Sequence, residues 1–206
     1  MSESVERVVA ALQAGELVVL PTDTVYGLAA TAHSEEAARR LYRLKGRDEI
    51  QPTALVVATV ELLLECVPEL RGPAGAIVRT LLPGPYTLVL PNPAGRFAWL
   101  NGSRPDTVGV RVPLLSGRGR DVLAQVGAIV ATSANLVGGP DPRRLEDVPR
   151  EILAGVAATL DGGELPGIPS TVIDLSAGEP VVLRDGGANA AEALARIAAH
   201  RILTPQ

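Results

Sequence analysis

Apolar positions recur at helical spacing from Val5 to Ala14 (Val5, Val8, Val9 and Leu12), and Gly15 fits just past the helix end. Leu17-Val18-Val19-Leu20 is a short apolar run with two β-branched members, the pattern of a buried strand, and Pro21 ends it because it cannot donate to a ladder. The next stretch, Pro21 to Leu28, is a polar rim with two threonine hydroxyls, a carboxylate and a phenol before Gly27 allows a turn. Ser34 reads as the N-cap of a second helix, with Glu35 and Glu36 in its first turn, Ala37, Ala38, Leu41 and Leu44 as the buried stripe, and Gly46 as its end.

The same reading continues along the chain. Thr53–Ala58 is a buried strand, Leu62–Val67 and Gly75–Leu82 are helices, and Tyr86–Leu90 is a strand after the break at Pro83-Gly84-Pro85. Pro91–Pro105 is a long polar loop of the kind that can be mobile, and whether it closes over a ligand is left open. Asp106–Pro113 alternates with period two, placing Val108, Val110 and Val112 on a core face and Thr107, Gly109 and Arg111 on the other. Arg111 is therefore expected to face a cleft or solvent. A helix over Arg120–Val126, a strand over Ala128–Ala131, a helix over Leu145–Ala154 and a strand over Val156–Leu160 follow. Ser170–Leu175 and Pro180–Arg184 read as a hairpin pair, and Ala190–His200 as a closing helix. Hairpin-like strands mixed with crossover helices predict an α/β (mixed α+β) fold with a mixed sheet in one domain over residues 1–206.

Composition narrows the functional classes. The 206 residues are 47% hydrophobic yet only 2% aromatic, so the core is aliphatic and stacking platforms for nucleic acid are scarce. A net charge of −4 supplies no global basic field for RNA or DNA. Cys66 is the one cysteine and His33 and His200 are the two histidines, which excludes disulfides, Cys-rich zinc sites and histidine metal clusters. The N-terminus lacks a signal-peptide pattern and no apolar run reaches the length of a membrane span, so a soluble, cytoplasmic protein with no membrane partner is expected. One lysine, Lys45, stands among 18 arginines. Its compact ammonium suits a tight anion site that a guanidinium fork would not replace.

The familiar nucleotide signatures are absent: there is no P-loop and no Gly-x-Gly-x-x-Gly after a strand, and no Gly-x-Ser-x-Gly elbow. What recurs instead is a strand end carrying small hydroxyl or amide groups, with isolated cations between. The set is Thr22/Thr24, Lys45/Arg47, Thr107/Arg111, Ser133/Asn135, Ser170/Thr171 and Arg184. Singly, such residues cap helices, snorkel or form surface pairs. Together they suit a polyanionic ligand bearing carboxylate or phosphate groups.

The motifs Pro21-Thr-Asp-Thr-Val-Tyr-Gly-Leu28, Lys45-Gly-Arg47, Pro83-Gly-Pro-Tyr-Thr-Leu88, Thr107-Val-Gly-Val-Arg-Val-Pro113, Ser133-Ala-Asn135, Ser170-Thr-Val172 and Leu183-Arg184 stand in the order seen in YrdC-like proteins. The chain resembles the threonylcarbamoyl-AMP synthases of that family from about residue 5 to residue 200. The resemblance implies a YrdC/RibB-like twisted mixed sheet, flanked by helices and curled around a concave pocket. It implies a nucleotidyltransferase that converts ATP, L-threonine and bicarbonate to threonylcarbamoyl-AMP and pyrophosphate, with Mg²⁺ accompanying ATP. A downstream tRNA threonylcarbamoyl-transferase complex would then modify the adenosine beside the anticodon, and a weak direct contact with tRNA is left open.

Carried over by motif, Thr24, Val56, Arg111, Ala131 and Ser170 are expected threonine contacts. Lys45, Arg47, Gln51, Thr107, Ser133, Asn135, Asp141 and Arg184 are expected ATP contacts, with Lys45 and Arg47 in the catalytic role of neutralising phosphate charge, and no protein side chain is assigned to a metal. Longer family members carry a further C-terminal domain, which a chain of this length is expected to lack. Two rival readings are an RNA-binding module built on an Arg-lined concavity, and a paralogue with a different carbamoyl or adenylate substrate.

Overall fold

The computed structural model describes residues 3–203. Helix α1 (Val5–Gln13) is capped by Ser4, whose hydroxyl accepts from the Arg7 amide, and leads into β1 (Val18–Pro21). The rim then folds back as a second strand, β2 (Tyr26–Thr31), antiparallel to β1. Helix α2 (Glu35–Lys45) starts at the expected Ser34 cap and stops at Gly46, whose φ of 70° is the left-handed conformation that suits glycine. Strand β3 (Ala54–Val57), helices α3 (Val60–Cys66) and α4 (Pro73–Leu81), and strands β4 (Tyr86–Pro91) and β5 (Thr107–Arg111) follow. Helix α5 (Gly117–Val126) precedes β6 (Ala128–Ser133). Helix α6 (Arg150–Ala154), the two-residue β7 (Ala158–Thr159), β8 (Thr171–Asp174), β9 (Val181–Arg184) and helix α7 (Ala190–Leu203) complete the chain.

Among the described residues the strands form one nine-stranded sheet in the order β7-β1-β2-β6-β3-β5-β4-β8-β9. The sheet is mixed, as the hairpins and crossovers predict: β3 and β5 are parallel, as are β4 and β8, whereas β4–β5 and the β8–β9 hairpin are antiparallel. The expected Leu145–Ala154 helix is a correction. Pro149 interrupts it, leaving a 3₁₀ turn at Leu145–Asp147 and the short α6.

Strand alternation sorts the core into two clusters. Tyr26, Leu28, Leu55, Leu88, Val108, Val110, Val130 and Ile173 point to one face, where residues of α2, α3, α4, α6 and α7 cover them. Val18, Leu20, Ala29, Ile129 and Ala158 point to the other, where Val8, Val9 and Leu12 of α1 and Val122 and Leu123 of α5 cover them. The second cluster reaches no further across the sheet than Val56 of β3. Among the described residues no helix of this cluster reaches over β5, β4, β8 and β9 on that face, and this half-covered face becomes the site.

The Pro91–Pro105 loop is packed onto the segment after α2. The Thr53 amide donates to Leu100 O at 2.8 Å, and the Ser103 amide to Ile50 O at 2.9 Å. Gly102, with φ of 59°, sits so close that a Cβ there would lie 2.3 Å from Ile50 O. Gly102→Ala combines left-handed strain with that clash and is expected to cost roughly 1–3 kcal/mol or more. A thermal midpoint several degrees lower than wild type would be the readout.

Candidate functional site

The uncovered half-face lines a cavity of about 280 Å³. Its floor is Ala54 and Val56 of β3, Gly109 between Thr107 and Arg111 of β5, Thr87 and Val89 of β4, and Val172 of β8. Its walls come from strand ends: Thr22 and Thr24 after β1, Ala131 and Ser133 on β6, Asp141, Ser170 before β8, and Arg184 closing β9. Three guanidiniums expected from the sequence, Arg47, Arg111 and Arg184, share this space with a fourth, Arg104.

Arg111 is the best anchored. Its Nη2 donates to Asp23 Oδ1, with which it forms an ion pair, and to Thr24 Oγ1 at 2.8 Å. Asp23 uses its other oxygen to accept the Leu114 amide at 3.0 Å. The Thr22 hydroxyl accepts from the amides of Thr24 and Val25, which fixes the turn that presents Asp23 and Thr24. Burial lowers the Arg111 pKa from its ordinary value, Asp23 opposes that shift, and Arg184 adds to it.

Arg184 and Arg47 are held by neutral oxygens. Arg184 donates to Ser170 O through Nε at 3.0 Å and Nη2 at 2.8 Å, and to Ser170 Oγ at 3.1 Å. Ser170 Oγ in turn lies 2.8 Å from Thr87 Oγ1. Arg47 Nη2 donates to Pro52 O at 2.7 Å, leaving Nε buried and without a partner among the described residues. Burial lowers the Arg47 pKa, the Tyr42 phenol opposes the shift, and Arg184 lowers it further. Cations gathered around one space make a ready receptor for an anion with more than one charge.

Lys45, expected beside the phosphates, sits next to the cavity lining, in contact with its Ser133. The last residue of α2, it is buried, and Nζ offers its protons to four oxygens: Ser133 O at 2.6 Å, Ser133 Oγ at 3.3 Å, Asn135 O at 3.0 Å and Asn135 Oδ1 at 2.6 Å. Asn135 Nδ2 donates to Gly139 O at 2.6 Å, which fixes the amide's orientation. The ammonium therefore clamps the end of β6, and Ser133 rather than Lys45 belongs to the cavity lining. Burial, with a smaller effect from Arg47, pushes the Lys45 pKa down to about 8, against the pull of Asp141.

The structure brings Thr24, Arg47, Val56, Thr107, Arg111, Ala131, Ser133, Asp141, Ser170 and Arg184 into one lining. Gln51 does not join them: it is exposed in the turn after Asp48, to which its amide bonds. Asn135 stands behind Ser133 with Lys45. Sequence reasoning missed Arg104, which lines the cavity while pairing with Asp174 at 2.7 Å, and two lining threonines, Thr53 and Thr87. Strand alternation in Tyr86–Leu90 could have found Thr87; Arg104 leaves no local signal.

Comparison with known proteins places this geometry among relatives. The family profile Sua5_yciO_yrdC, described as Telomere recombination, matches residues 10–186. Threonylcarbamoyl-AMP synthase from Pyrococcus abyssi (strain GE5 / Orsay) is 37% identical over 177 residues, 85% of this chain and 52% of that protein. The Homo sapiens threonylcarbamoyl-AMP synthase is 35% identical over 196 residues, 90% of this chain and 68% of the human one. The crystal structure of P. abyssi Sua5 complexed with L-threonine matches with a TM-score of 0.85 at 34% identity, over 94% of this chain and 57% of that one. The chain thus spans about half the length of the P. abyssi protein.

The Lys45 clamp has a measurable signature. Between about pH 8 and the ordinary lysine value of 10.5, the folded protein has shed a proton that the unfolded chain still carries. Stability contributed by this group therefore rises with pH across that window and is lost as pH falls through about 8. Denaturant unfolding of wild type and Lys45→Met at several pH values isolates it: the stability difference is expected to change across the window. A difference independent of pH would show that Lys45 titrates as it does in the unfolded chain.

Proposed function

The chain belongs to the Sua5/YciO/YrdC family, and from that premise we propose that it is an ATP-dependent nucleotidyltransferase making L-threonylcarbamoyl-AMP. The observation that carries the reading is the convergence of Arg47, Arg111 and Arg184 on one cavity. Of the three, only Arg111 is paired with a carboxylate among the described residues. A site holding two unneutralised guanidiniums beside a third suits one ligand with a carboxylate and another with phosphates.

The chemistry needs no protein nucleophile. The threonine amine takes up the carbon of bicarbonate, releasing water, and leaves an N-carboxylate. An oxygen of that N-carboxylate attacks the α-phosphorus of ATP; the new P–O bond forms as the bond to the β-phosphate oxygen breaks, and pyrophosphate departs with the electron pair. What the protein supplies is proximity of two anions and compensation of charge on the phosphates. Arg111, steadied by Asp23 and Thr24, holds the threonine carboxylate. Arg47, Arg184, Thr107 and Ser133 grip the nucleotide, with Lys45 and Asn135 fixing the Ser133 end.

Mg²⁺ enters as part of the Mg·ATP substrate. Among the described residues no group of three or more His, Cys, Asp or Glu is placed to hold a metal ion, and Asp141 is a carboxylate of the lining that a phosphate-bound cation could meet. Among the described residues no helix is long and apolar enough to cross a membrane. A cytoplasmic enzyme passing its product to a tRNA-modifying complex completes the reading.

Purified protein given Mg·ATP and bicarbonate is expected to release pyrophosphate only when L-threonine is added, and to stop when Mg²⁺ is chelated. Arg47→Ala is expected to lower turnover roughly a hundredfold, the usual cost of removing a preorganised charge contact. Release that ignores threonine would move the substrate assignment elsewhere, and wild-type turnover by folded Arg47→Ala would remove Arg47 from the phosphate grip.

A further inference from the structure

Gly109 is the one residue of the β5 cavity face with no side chain, and it lies between the two substrate grips. Thr107, on the nucleotide side, is two residues before it, and Arg111, on the threonine side, two residues after. Opposite it on β4 is Val89, and beside it on β3 is Ala54, both also floor residues. Its backbone does not demand glycine, since its φ lies outside the left-handed region. Nor does packing demand it. A Cβ at 109 would meet Ala54 Cα at 3.7 Å, Thr53 O at 3.8 Å and Ala54 Cβ at 4.0 Å, all ordinary contacts, with nothing above it toward the cavity. Neither conformation nor core packing accounts for a residue of poor strand propensity in the middle of a central strand.

We infer that Gly109 keeps open the space in which the two substrates join, and so positions the reaction along β5. This rests on the synthase reading given above. Residues two apart on one face of a strand are separated by about 6.6 Å, so Thr107 and Arg111 are roughly 13 Å apart along the floor. In a threonylcarbamoyl group five bonds lead from the carboxylate carbon to the phosphorus, an extended reach of about 6 Å. With its carboxylate at the Arg111 end, that group covers half the interval, and the new P–O bond falls over position 109. A side chain there would leave each grip intact and occupy the place where carbamate oxygen and α-phosphorus must approach. Gly109 is thus a positioning residue: it contributes clearance, and its effect is confined to the state in which both substrates are bound.

The test is a size series, Gly109→Ala and Gly109→Val, read by four measurements: thermal midpoint, calorimetric binding of L-threonine alone, calorimetric binding of ATP alone, and threonine-dependent pyrophosphate release. Both variants are expected to fold with midpoints no lower than wild type, since a Cβ at 109 meets no contact closer than 3.7 Å and β-branching favours a strand. Each substrate alone is expected to bind within about threefold of wild type. Turnover is expected to fall less than about tenfold for Gly109→Ala and roughly a hundredfold or more for Gly109→Val, because displacement of reacting atoms by about 1 Å is that costly. A Gly109→Val enzyme turning over within tenfold of wild type overturns the inference. So does loss of binding to either substrate alone, which would mean that position 109 belongs to a grip. Wild-type protein that releases no pyrophosphate with threonine would overturn the synthase reading itself, and that result is obtained before any variant is made.

Discussion

The rest of this structure depends on an imbalance between sheet and helices. Five helices cover one face of the sheet from β1 to β8, whereas α1 and α5 cover only the β7, β1, β2 and β6 side of the other, reaching Val56. Under helices, cavity-side positions are Val18, Leu20 and Ile129; beyond them the equivalent positions are Thr87, Thr107, Gly109, Arg111 and Arg184. Val89 and Val172 stay there as half-buried floor, and the positions around them turn polar, so the chain changes character along the same sheet face. Fold and site are therefore one statement: the cavity is the part of the sheet that the chain does not roof.

Holding cations in such a place has a cost. Taking a guanidinium out of water is unfavourable by several kcal/mol unless hydrogen bonds replace its hydration. Each of the three arginines meets that requirement differently: Arg111 through Asp23 and Thr24, Arg184 through Ser170, and Arg47 through Pro52 O alone. None of these partners other than Asp23 carries charge, and among the lining residues the arginines outnumber the carboxylate of Asp141, which favours an anionic ligand. Lys45 has the complementary task. An ammonium can converge on four oxygens from one point, and a planar fork cannot, which explains why the chain's one lysine sits at the junction of α2 with the end of β6.

Much of this was legible in the residues. Period-two alternation in Asp106–Pro113 correctly turned Arg111 toward a cleft, and Ser34 and Gly46 bounded α2 as read. Strand β2 was not legible: Tyr-Gly-Leu-Ala-Ala-Thr has small residues where β-branched ones would signal a strand, and its conformation comes from pairing on both sides, to β1 and β6. The role of Asp23 was hidden for another reason. Its partner Arg111 is 88 positions away, and only the register that sets β3 beside both β5 and β6 brings the two together. Motif order placed Lys45 and Asn135 near the ligand, and packing sets both directly behind Ser133 of the cavity lining. For Gln51, alignment by position supplied no burial signal, and the turn leaves it in solvent.

The most direct test of the central claim is a crystal structure with L-threonine and a non-hydrolysable ATP analogue bound together. The account predicts the threonine carboxylate on Arg111, the phosphates between Arg47 and Arg184, and the α-phosphorus above Gly109 on the unroofed half of the sheet. A nucleotide bound away from that half-face, or a threonine carboxylate paired with a different cation, would contradict it.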